Sequence, residues 1–343
     1  MGKIYNDELL LKNFQTENEN KKNIQLKLKE ISNDNVKYDS FDKEKEKDLN
    51  LGRFYSMISC LFYSMSDITL KMTQIRIPNY NFFFMMTIRF LIFCLLGKIF
   101  IIRNSIKIKG LLNIENKSLL FIRIIASLLT MLFLKLSFYY IRFGLSVSLL
   151  MLSPIWVNFL SIYFFKEKFE LKYIISCFVC LLGTYLISLG ENSIETSKDN
   201  YNNFIGISFG ILSSFSVGIA VTCSKTLLKA FKSYELIYIF GFYSFLISFI
   251  LCFFQFQLIY ETFSLFFIFI SSLNGISHFY ANHFSFLSFN LADMNKISYI
   301  NYMQIILSLI SGYCLFNDSL NLLDFIGGGI IIGFNYITTK YYK

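Results

Sequence analysis

Residues 118–165 read SLLFIRIIASLLTMLFLKLSFYYIRFGLSVSLLMLSPIWVNFLSIYFF, and only Arg123, Lys135 and Arg142 are charged among them. A membrane-spanning helix needs about 20 predominantly apolar residues, because the hydrocarbon core of a bilayer is about 30 Å thick. The stretch is therefore long enough for two such helices, over 118–141 and 143–165. Continuous apolar runs of this length favour helices over the short alternating strands of a membrane barrel.

The same pattern extends over the chain from residue 53 onward. Of the 343 residues, 55% are hydrophobic and 16% are charged, whereas soluble domains have about 25% charged residues. The sequence predicts ten spans, near residues 53–74, 81–102, 118–141, 143–165, 171–190, 204–227, 234–256, 262–288, 296–316 and 321–341. We therefore expect an all-α polytopic membrane protein embedded in a lipid bilayer.

The first 50 residues differ from the rest of the chain. They contain ten Lys and eleven acidic residues and few apolar runs, a composition typical of a disordered segment. They lack the apolar core of a signal peptide, so we expect the first span to act as the insertion signal. A polar tail beside a basic membrane body does not predict a nucleic-acid partner.

Basic residues are divided unevenly between the two sides of the predicted bundle. With the N-terminus in the cytosol, thirteen lie on the inner side, namely Arg103, Lys107, Lys109, Lys117, Lys166, Lys168, Lys172, Lys225, Lys229, Lys232, Lys296, Lys340 and Lys343. Only Lys71, Arg76, Arg142 and Lys198 lie outside. This bias predicts that both termini are cytosolic. The sequence leaves open a plasma or an intracellular organelle membrane, and it leaves open the oligomeric state, for which a homodimer is one option.

Two segments of the chain resemble each other at a separation of 151 residues. FFKEKFEL at 164–171 matches LFNDSLNL at 315–322 and pairs Glu167 with Asp318, while Ser59 pairs with Ser213 at a separation of 154. With five spans in each half, the second copy enters the membrane in the opposite orientation. Inverted repeats are typical of secondary transporters. We therefore predict a first repeat over 53–190 and a second over 204–341.

Several motifs are spread over the two repeats, and those of the fourth and ninth spans occupy equivalent stretches. They are Thr87–Phe90 in the second span, Arg123 in the third, Ser153-Pro154-Ile155 followed by Glu167 in the fourth, and Asn301–Gln304 followed by Asp318 in the ninth. Together they resemble the EamA type of the drug/metabolite transporter superfamily, with Asp318 in place of the usual Glu and Ile305 where many relatives have Pro. The resemblance implies two inverted five-helix EamA repeats that operate by alternating access. Members of the superfamily move nucleotide sugars, phosphorylated sugars, amino acids, purines or drugs.

Ionisable side chains inside the predicted spans indicate a transport pathway, because they are costly in lipid. Arg89 lies in the middle of the second span, so we expect it to face an aqueous cavity or an acidic partner. Asp67 and Lys71 lie one turn apart and predict either a cavity role or a structural ion pair, with Lys71 reaching the interface. Lys135 is a deeper candidate, whereas Arg123 is predicted to reach the interface. One embedded acid among several cations predicts a positive cavity and an anionic substrate.

Spans eight and nine each have a stripe of polar residues. The stripes are Ser271, Asn274, His278, Asn282 and Ser285, and Asn301, Gln304, Ser308 and Ser311. Their helical spacing indicates either a cavity lining or hydrogen bonding between helices. His278 is a candidate for proton coupling or a hydrogen-bonded packing residue. The predicted substrate-binding residues are Asp67, Lys71, Arg89, Lys135, His278, Asn282, Asn301 and Gln304.

Small residues at helical spacing predict close contacts between helices. Gly206 and Gly210 form one such pair, and Gly329 and Gly333 form another. Cys177 and Cys180 lie in an apolar span without polar neighbours. We expect these cysteines to pack there rather than to bind a metal or form a disulfide.

Other classes of function receive less support from the sequence. An enzyme would need a catalytic constellation, but His278 and His283 are five residues apart and lie on different faces of a helix. We therefore predict no catalytic residue, no metal site and no cofactor. The sequence favours a secondary active transporter or exchanger of a small metabolite, whose substrate lies at the midplane between the halves. The alternative is an integral membrane enzyme or a non-transporting membrane protein.

Overall fold

The computed structural model describes residues 46–104, 117–165, 171–194, 200–255, 258, 263–291 and 300–341. The chain divides into two units, Met1–Leu51 and Gly52–Lys343. In the first unit only residues 46–51 are described, and they are helical, so most of the predicted disordered tail lies outside the described residues. The described part of the second unit contains helices and no strand. The predicted all-helical fold class is confirmed.

The helices follow the predicted spans closely. Those of the first half are α1 (52–76), α2 (Phe82–Arg103), α3 (Lys117–Tyr140), α4 (Phe143–Leu150), α5 (Ser153–Phe165) and α6 (Leu171–Ile194). Those of the second half are α7 (Asn200–Leu227), α8 (Ser233–Cys252), α9 (Leu265–Leu291), α10 (Met303–Phe316) and α11 (Leu322–Tyr341). In the described part of the chain, four helices are long and apolar enough to cross a membrane: α2, α3, α8 and residues Asn202–Leu227 of α7.

The connection between α1 and α2 follows from two residues. Pro78 disfavours a helical conformation of Ile77, and α1 ends at residue 76. Asn81 then caps α2, because its Oδ1 accepts a hydrogen bond from the Phe84 amide at 3.0 Å. The Asn81 side chain also donates to the carbonyl of Cys252 at 3.2 Å. This bond ties the start of α2 to the end of α8.

The fourth predicted span is not one continuous helix. α4 ends at Leu150, residues 151–152 form a turn, and α5 begins at Ser153. Pro154 has no amide hydrogen and its ring clashes with the carbonyl four residues earlier, which is that of Leu150. The prediction of an unbroken helix over 143–165 was therefore wrong.

The ninth predicted span is also interrupted. Residues 300–301 are helical, Tyr302 lies in a turn, and α10 begins at Met303. No proline is present here, since Ile305 occupies the place that corresponds to Pro154 at the separation of 151. The predicted span over 296–316 has a one-residue turn at Tyr302, whose backbone angles remain in the helical region (φ −68°, ψ −14°), and residues 292–299 lie outside the described part.

Helices of the first half pack mainly against helices of the second. α2 lies against α8, α4 against α10, and α6 against α11. α3 lies against α7, and hydrogen bonds join α1 to α9. The interior of the second unit is therefore lined by both halves.

α6 and α11 cross closely at Gly183 and Gly327. A Cβ atom on Gly327 would lie 2.5 Å from the Gly183 carbonyl oxygen, and one on Gly183 would lie 2.8 Å from the Gly327 carbonyl oxygen. The predicted contacts at Gly206 and Gly210 are confirmed, because a Cβ on either would lie 2.7 Å from a side chain of the first half. The contacts predicted at Gly329 and Gly333 were wrong, because no described atom lies within 4 Å of their Cβ positions. The side chains of Cys177 and Cys180 lie outside the described residues.

We predict that Gly327→Ala lowers the melting temperature of the detergent-purified protein. The added methyl group would lie 2.5 Å from the backbone carbonyl oxygen of Gly183, which cannot move aside as a side chain can, so we expect a loss of about 1–3 kcal/mol. Gly329→Ala, two residues away in α11, is the matched control and should be neutral or slightly stabilising. Equal melting temperatures for the two variants would contradict the crossing at Gly183.

Candidate substrate-binding site

Polar side chains from five helices meet inside the second unit. We name them the central polar cluster, which consists of Tyr63, Ser66, Asp67 and Thr69 of α1, Arg89 of α2, Arg123 of α3, Asn274 and His278 of α9, and Gln304 of α10. All of them are buried or half-buried. Charged groups are rare at such depth in a membrane protein and by default mark a pathway or a binding site.

Arg89 lies at the centre of the cluster and is only 1% exposed. Its Nη1 donates to Oδ1 of Asn274 at 3.3 Å. Its Nε is a buried donor without a hydrogen-bond partner among the described residues. α2 and α9 approach closely because of Gly275, where a Cβ atom would lie 3.1 Å from the Arg89 Cα. Arg89 therefore has hydrogen-bonding capacity that the described protein does not use.

Asn274 orients the Arg89 side chain. Its Nδ2 donates to the Ser66 carbonyl at 2.7 Å and to the Thr69 hydroxyl at 2.9 Å. Since both donor hydrogens of the amide point to α1, its oxygen faces Arg89. The polar stripe predicted on span eight thus serves, at this position, as hydrogen bonding between helices.

Asp67 is 3% exposed and contacts the second half of the chain. Its Oδ2 accepts a hydrogen bond from Nε2 of Gln304 at 2.8 Å, and the carboxylate interacts electrostatically with Arg89. The structure thus brings three predicted site residues together. The predicted pairing of Asp67 with Lys71 is replaced by these contacts, because Lys71 donates instead to the Phe138 carbonyl.

Lys71 and Lys135 lie against aromatic residues near the α1–α2 connection. The Lys71 ammonium is 5.8 Å from the ring centre of Phe138. The Lys135 ammonium is 4.2 Å from that of Tyr80 and 5.2 Å from that of Phe82. Such cation–π contacts stabilise a charge, and Lys71 also interacts electrostatically with Asp318. Both lysines were predicted as binding residues, but the contacts described here place them outside the central polar cluster.

His278 lies in a packed and hydrogen-bonded position. Its Nδ1 is 3.3 Å from the Ser66 hydroxyl, and its ring stacks on Phe93 and meets the edge of Tyr63. Arg89 and Arg123 both interact with it electrostatically. A protonated His278 would be a third positive charge in this region, so the geometry favours the packing role over the proton-coupling role.

The two remaining predicted residues lie at the edge of the cluster. Asn282 donates to the His278 carbonyl of its own helix at 2.9 Å. Asn301 accepts a hydrogen bond from the Ser56 hydroxyl at 3.1 Å and so joins α1 to the segment before α10. Further along span nine, Ser308 and Ser311 donate to carbonyls of α10 itself.

Arg123 is a candidate site residue that the sequence pattern did not indicate. It is 3% exposed, and its guanidinium carbon lies 4.4 Å from the ring centre of Phe240 and 5.2 Å from that of Phe286. Its Nε is also a buried donor without a described partner, and it interacts electrostatically with Tyr63. The prediction that Arg123 reaches the interface was therefore wrong. The position of Arg123 along α3 does not indicate that the rings of Phe240 and Phe286 lie beside it.

The breaks in the fourth and ninth spans fall at corresponding places. Met151 and Tyr302 are separated by 151 residues, which is also the separation of the matching segments FFKEKFEL and LFNDSLNL. α10 ends at Phe316, and the described part of α5 extends to Phe165, which is the corresponding phenylalanine in the two segments. Interrupted helices at corresponding positions of two halves are a marker of a transporter binding site.

These features define an all-helical multi-pass membrane protein with polar and charged side chains in its interior. Residues 50–189 match the EamA-like transporter family. This match confirms the family resemblance over the first predicted repeat, and members of the family move small molecules across membranes.

Comparisons with individual proteins give a likeness in fold. A search of curated protein sequences gives no match. A solved crystal structure aligns with a TM-score of 0.59 and 14% sequence identity, over 82% of this chain and 96% of that chain. At this identity the likeness concerns the fold alone.

We predict that Asn274→Leu destabilises the protein more than Asn282→Leu. The first change removes the bonds to Ser66 and Thr69 and leaves Arg89 without its amide acceptor, which should cost about 1–3 kcal/mol. The second, eight residues further along α9, removes a bond within one helix. Thermal unfolding in detergent measures the difference, and similar losses for both variants would contradict the bridging role of Asn274.

Proposed function

We propose that this chain is a secondary transporter or exchanger that carries a small anion between Arg89 and Arg123. The observation that carries the proposal is the pair of buried guanidinium groups, each with an Nε donor that makes no hydrogen bond to a described residue. Asp67 is the acid of the cluster that interacts with Arg89, so the central polar cluster has one more positive than negative charge. An anionic ligand would supply both the missing charge and the missing acceptors.

The proposal includes ten spans, both termini in the cytosol, and two inverted repeats over 53–190 and 204–341. Hydrogen bonds support the repeats: Ser59 donates to the Ala281 carbonyl, and Ser213 donates to the Thr130 carbonyl. Ser59 and Ser213 are the pair matched in sequence, and Thr130 and Ala281 are 151 residues apart. One contact between the halves thus occurs twice, as a two-fold relation requires.

The site itself has the same relation. Arg89 contacts Asn274, and Arg123 contacts Phe240. Phe240 follows Arg89 by 151 residues, and Asn274 follows Arg123 by 151 residues. The two contacts therefore lie at equivalent places on either side of the proposed axis, which supports a binding site between the halves. Rocking of one half against the other about such a site gives alternating access.

We predict that an anion raises the melting temperature of the detergent-purified protein. A panel of nucleotide sugars, sugar phosphates, amino acids, nucleosides and cationic drugs would be screened. A ligand at about 100 times its dissociation constant stabilises by about 2.7 kcal/mol. The shift should disappear in Arg89→Gln and in Arg123→Gln. Arg103→Gln is the matched control, because this exposed arginine ends the same helix as Arg89.

Two outcomes would contradict the anionic substrate. One is stabilisation by neutral or cationic compounds alone, and the other is an anion-induced shift that persists in both arginine variants. A stabilising ligand would then be tested by counterflow in proteoliposomes loaded with it. Uptake above that of protein-free liposomes supports transport, whereas binding without any exchange would favour the non-transporting alternative.

A further inference from the structure

Four polar side chains join the α3–α4 connection to the α10–α11 connection. We name Arg142, Asp318, Asn321 and Asp324 the polar latch. Arg142 belongs to the first half of the chain, and the other three belong to the second. They lie at the end of the second unit where α4 begins and α10 ends.

The core of the polar latch is an ion pair. Arg142 Nη1 lies 3.3 Å from Asp324 Oδ2, and Nη2 lies 3.5 Å from Oδ1. Arg142 also donates to the Ser319 carbonyl. Asp324 is 0% exposed, and its Oδ2 accepts a further bond from the Asn321 amide at 2.9 Å. Asn321 in turn donates to the Gly190 carbonyl at the end of α6.

Asp318 makes a second connection between the halves. Its Oδ2 accepts a hydrogen bond from the Phe143 amide at 3.0 Å, and no side chain next to α4 caps this helix. A carboxylate is favourable at a helix N-terminus because of the free amides and the helix dipole. Asn317 has a φ of 55°, and the Asp318 amide donates to the Gly312 carbonyl at 3.0 Å. This helix end directs Asp318 toward α4.

The surroundings of the polar latch are packed closely. The rings of Phe143 and Phe316 meet at 5.1 Å, and a Cβ atom on Gly144 would lie 2.7 Å from Leu309. A small pocket is lined by Arg142, Gly144, Leu145, Leu309, Asp318, Leu320 and Asp324. Leu145, which lines this pocket, is 2% exposed. The halves are thus closed against each other at this end.

An ion pair is a poor device for permanent closure. Apolar residues of similar volume pack as well or better, because two charges lose their hydration when they are buried. A charge pair can however separate when water reaches both partners, which makes two discrete states accessible. Both α4 and α10 are short pieces of interrupted spans, so they can move without carrying a whole span.

We propose that the polar latch is the gate at one face of the membrane and that this structure shows it closed. The inference rests on the alternating access proposed above. Opening separates Arg142 from Asp324 and Phe143 from Asp318, and it exposes the pocket below. The gate is distinct from the substrate site, because none of its residues belongs to the central polar cluster.

Labelling of Leu145→Cys tests the gate. A water-soluble, membrane-impermeant maleimide would be added to the protein in liposomes, and its rate measured against the parent chain with its seven native cysteines. We then add Arg142→Gln or Asp318→Asn to the Leu145→Cys chain. We expect labelling at position 145 to become about tenfold faster than in the Leu145→Cys chain alone, because loss of a buried pair shifts the equilibrium toward the open state. Arg142→Lys keeps the charge. In the Leu145→Cys chain it should leave the labelling rate within about threefold of the rate without it.

Arg76→Gln is the control, because this exposed arginine ends α1. Unchanged labelling in both Arg142→Gln and Asp318→Asn would overturn the gate, as would an equal acceleration in Arg76→Gln. The melting temperature of each variant identifies a chain that has not folded. If Arg142→Gln does not fold, the labelling rates of Arg142→Lys and Asp318→Asn are compared instead. The assay needs no substrate, so its failure is separate from a failure of the anion screen.

Discussion

A guanidinium group inside a membrane helix must regain from protein the hydration that it loses. Insertion of an arginine at a helix centre costs about 2.5–3.5 kcal/mol, and the arrangement around Arg89 offsets this. Asn274 directs its oxygen to Arg89 because α1 binds both of its amide hydrogens. Gly275 lets α9 approach α2 closely enough for that bond. The contacts of α1, α2 and α9 therefore all depend on the burial of one charge.

The fold could be predicted from the sequence because span length depends on bilayer thickness and on little else. Helix ends followed from local rules, as at Pro78 and Asn81. The break at Tyr302 could not be predicted, since no proline or glycine marks it. The sequence suggested an ion pair between Asp67 and Lys71 because residues one helical turn apart can be recognised from spacing alone. The observed hydrogen-bond partner of Asp67, Gln304, is 237 residues away. The position of a residue along a helix indicates its depth in the membrane but not which side chains surround it. For this reason the sequence predicted that Arg123 reaches the membrane–water interface.

Under the proposed two-fold relation, the scaffold repeats but the arginines of the site do not. Serine-to-carbonyl bonds and helix breaks occur in both halves. At the site, Arg89 in one half corresponds to Phe240 in the other, and Arg123 corresponds to Asn274. A frame with equivalent halves can exchange their conformations, while the residues that differ determine what is bound. In the proposed mechanism, recognition and movement thus depend on separate sets of positions.

The contacts between α1 and α9 also constrain the synthesis of the protein. Ser66 and Asn274 are 208 residues apart, and chain growth at about 5–20 residues per second separates their appearance by about 10–40 s. During that time Asp67 and Arg89 have left the ribosome, but Asn274 and Gln304 do not yet exist. The early helices must therefore wait in the insertion machinery, or beside water and one another, until the late ones arrive. The polar interior of the finished protein is in this sense a requirement on the timing of its assembly.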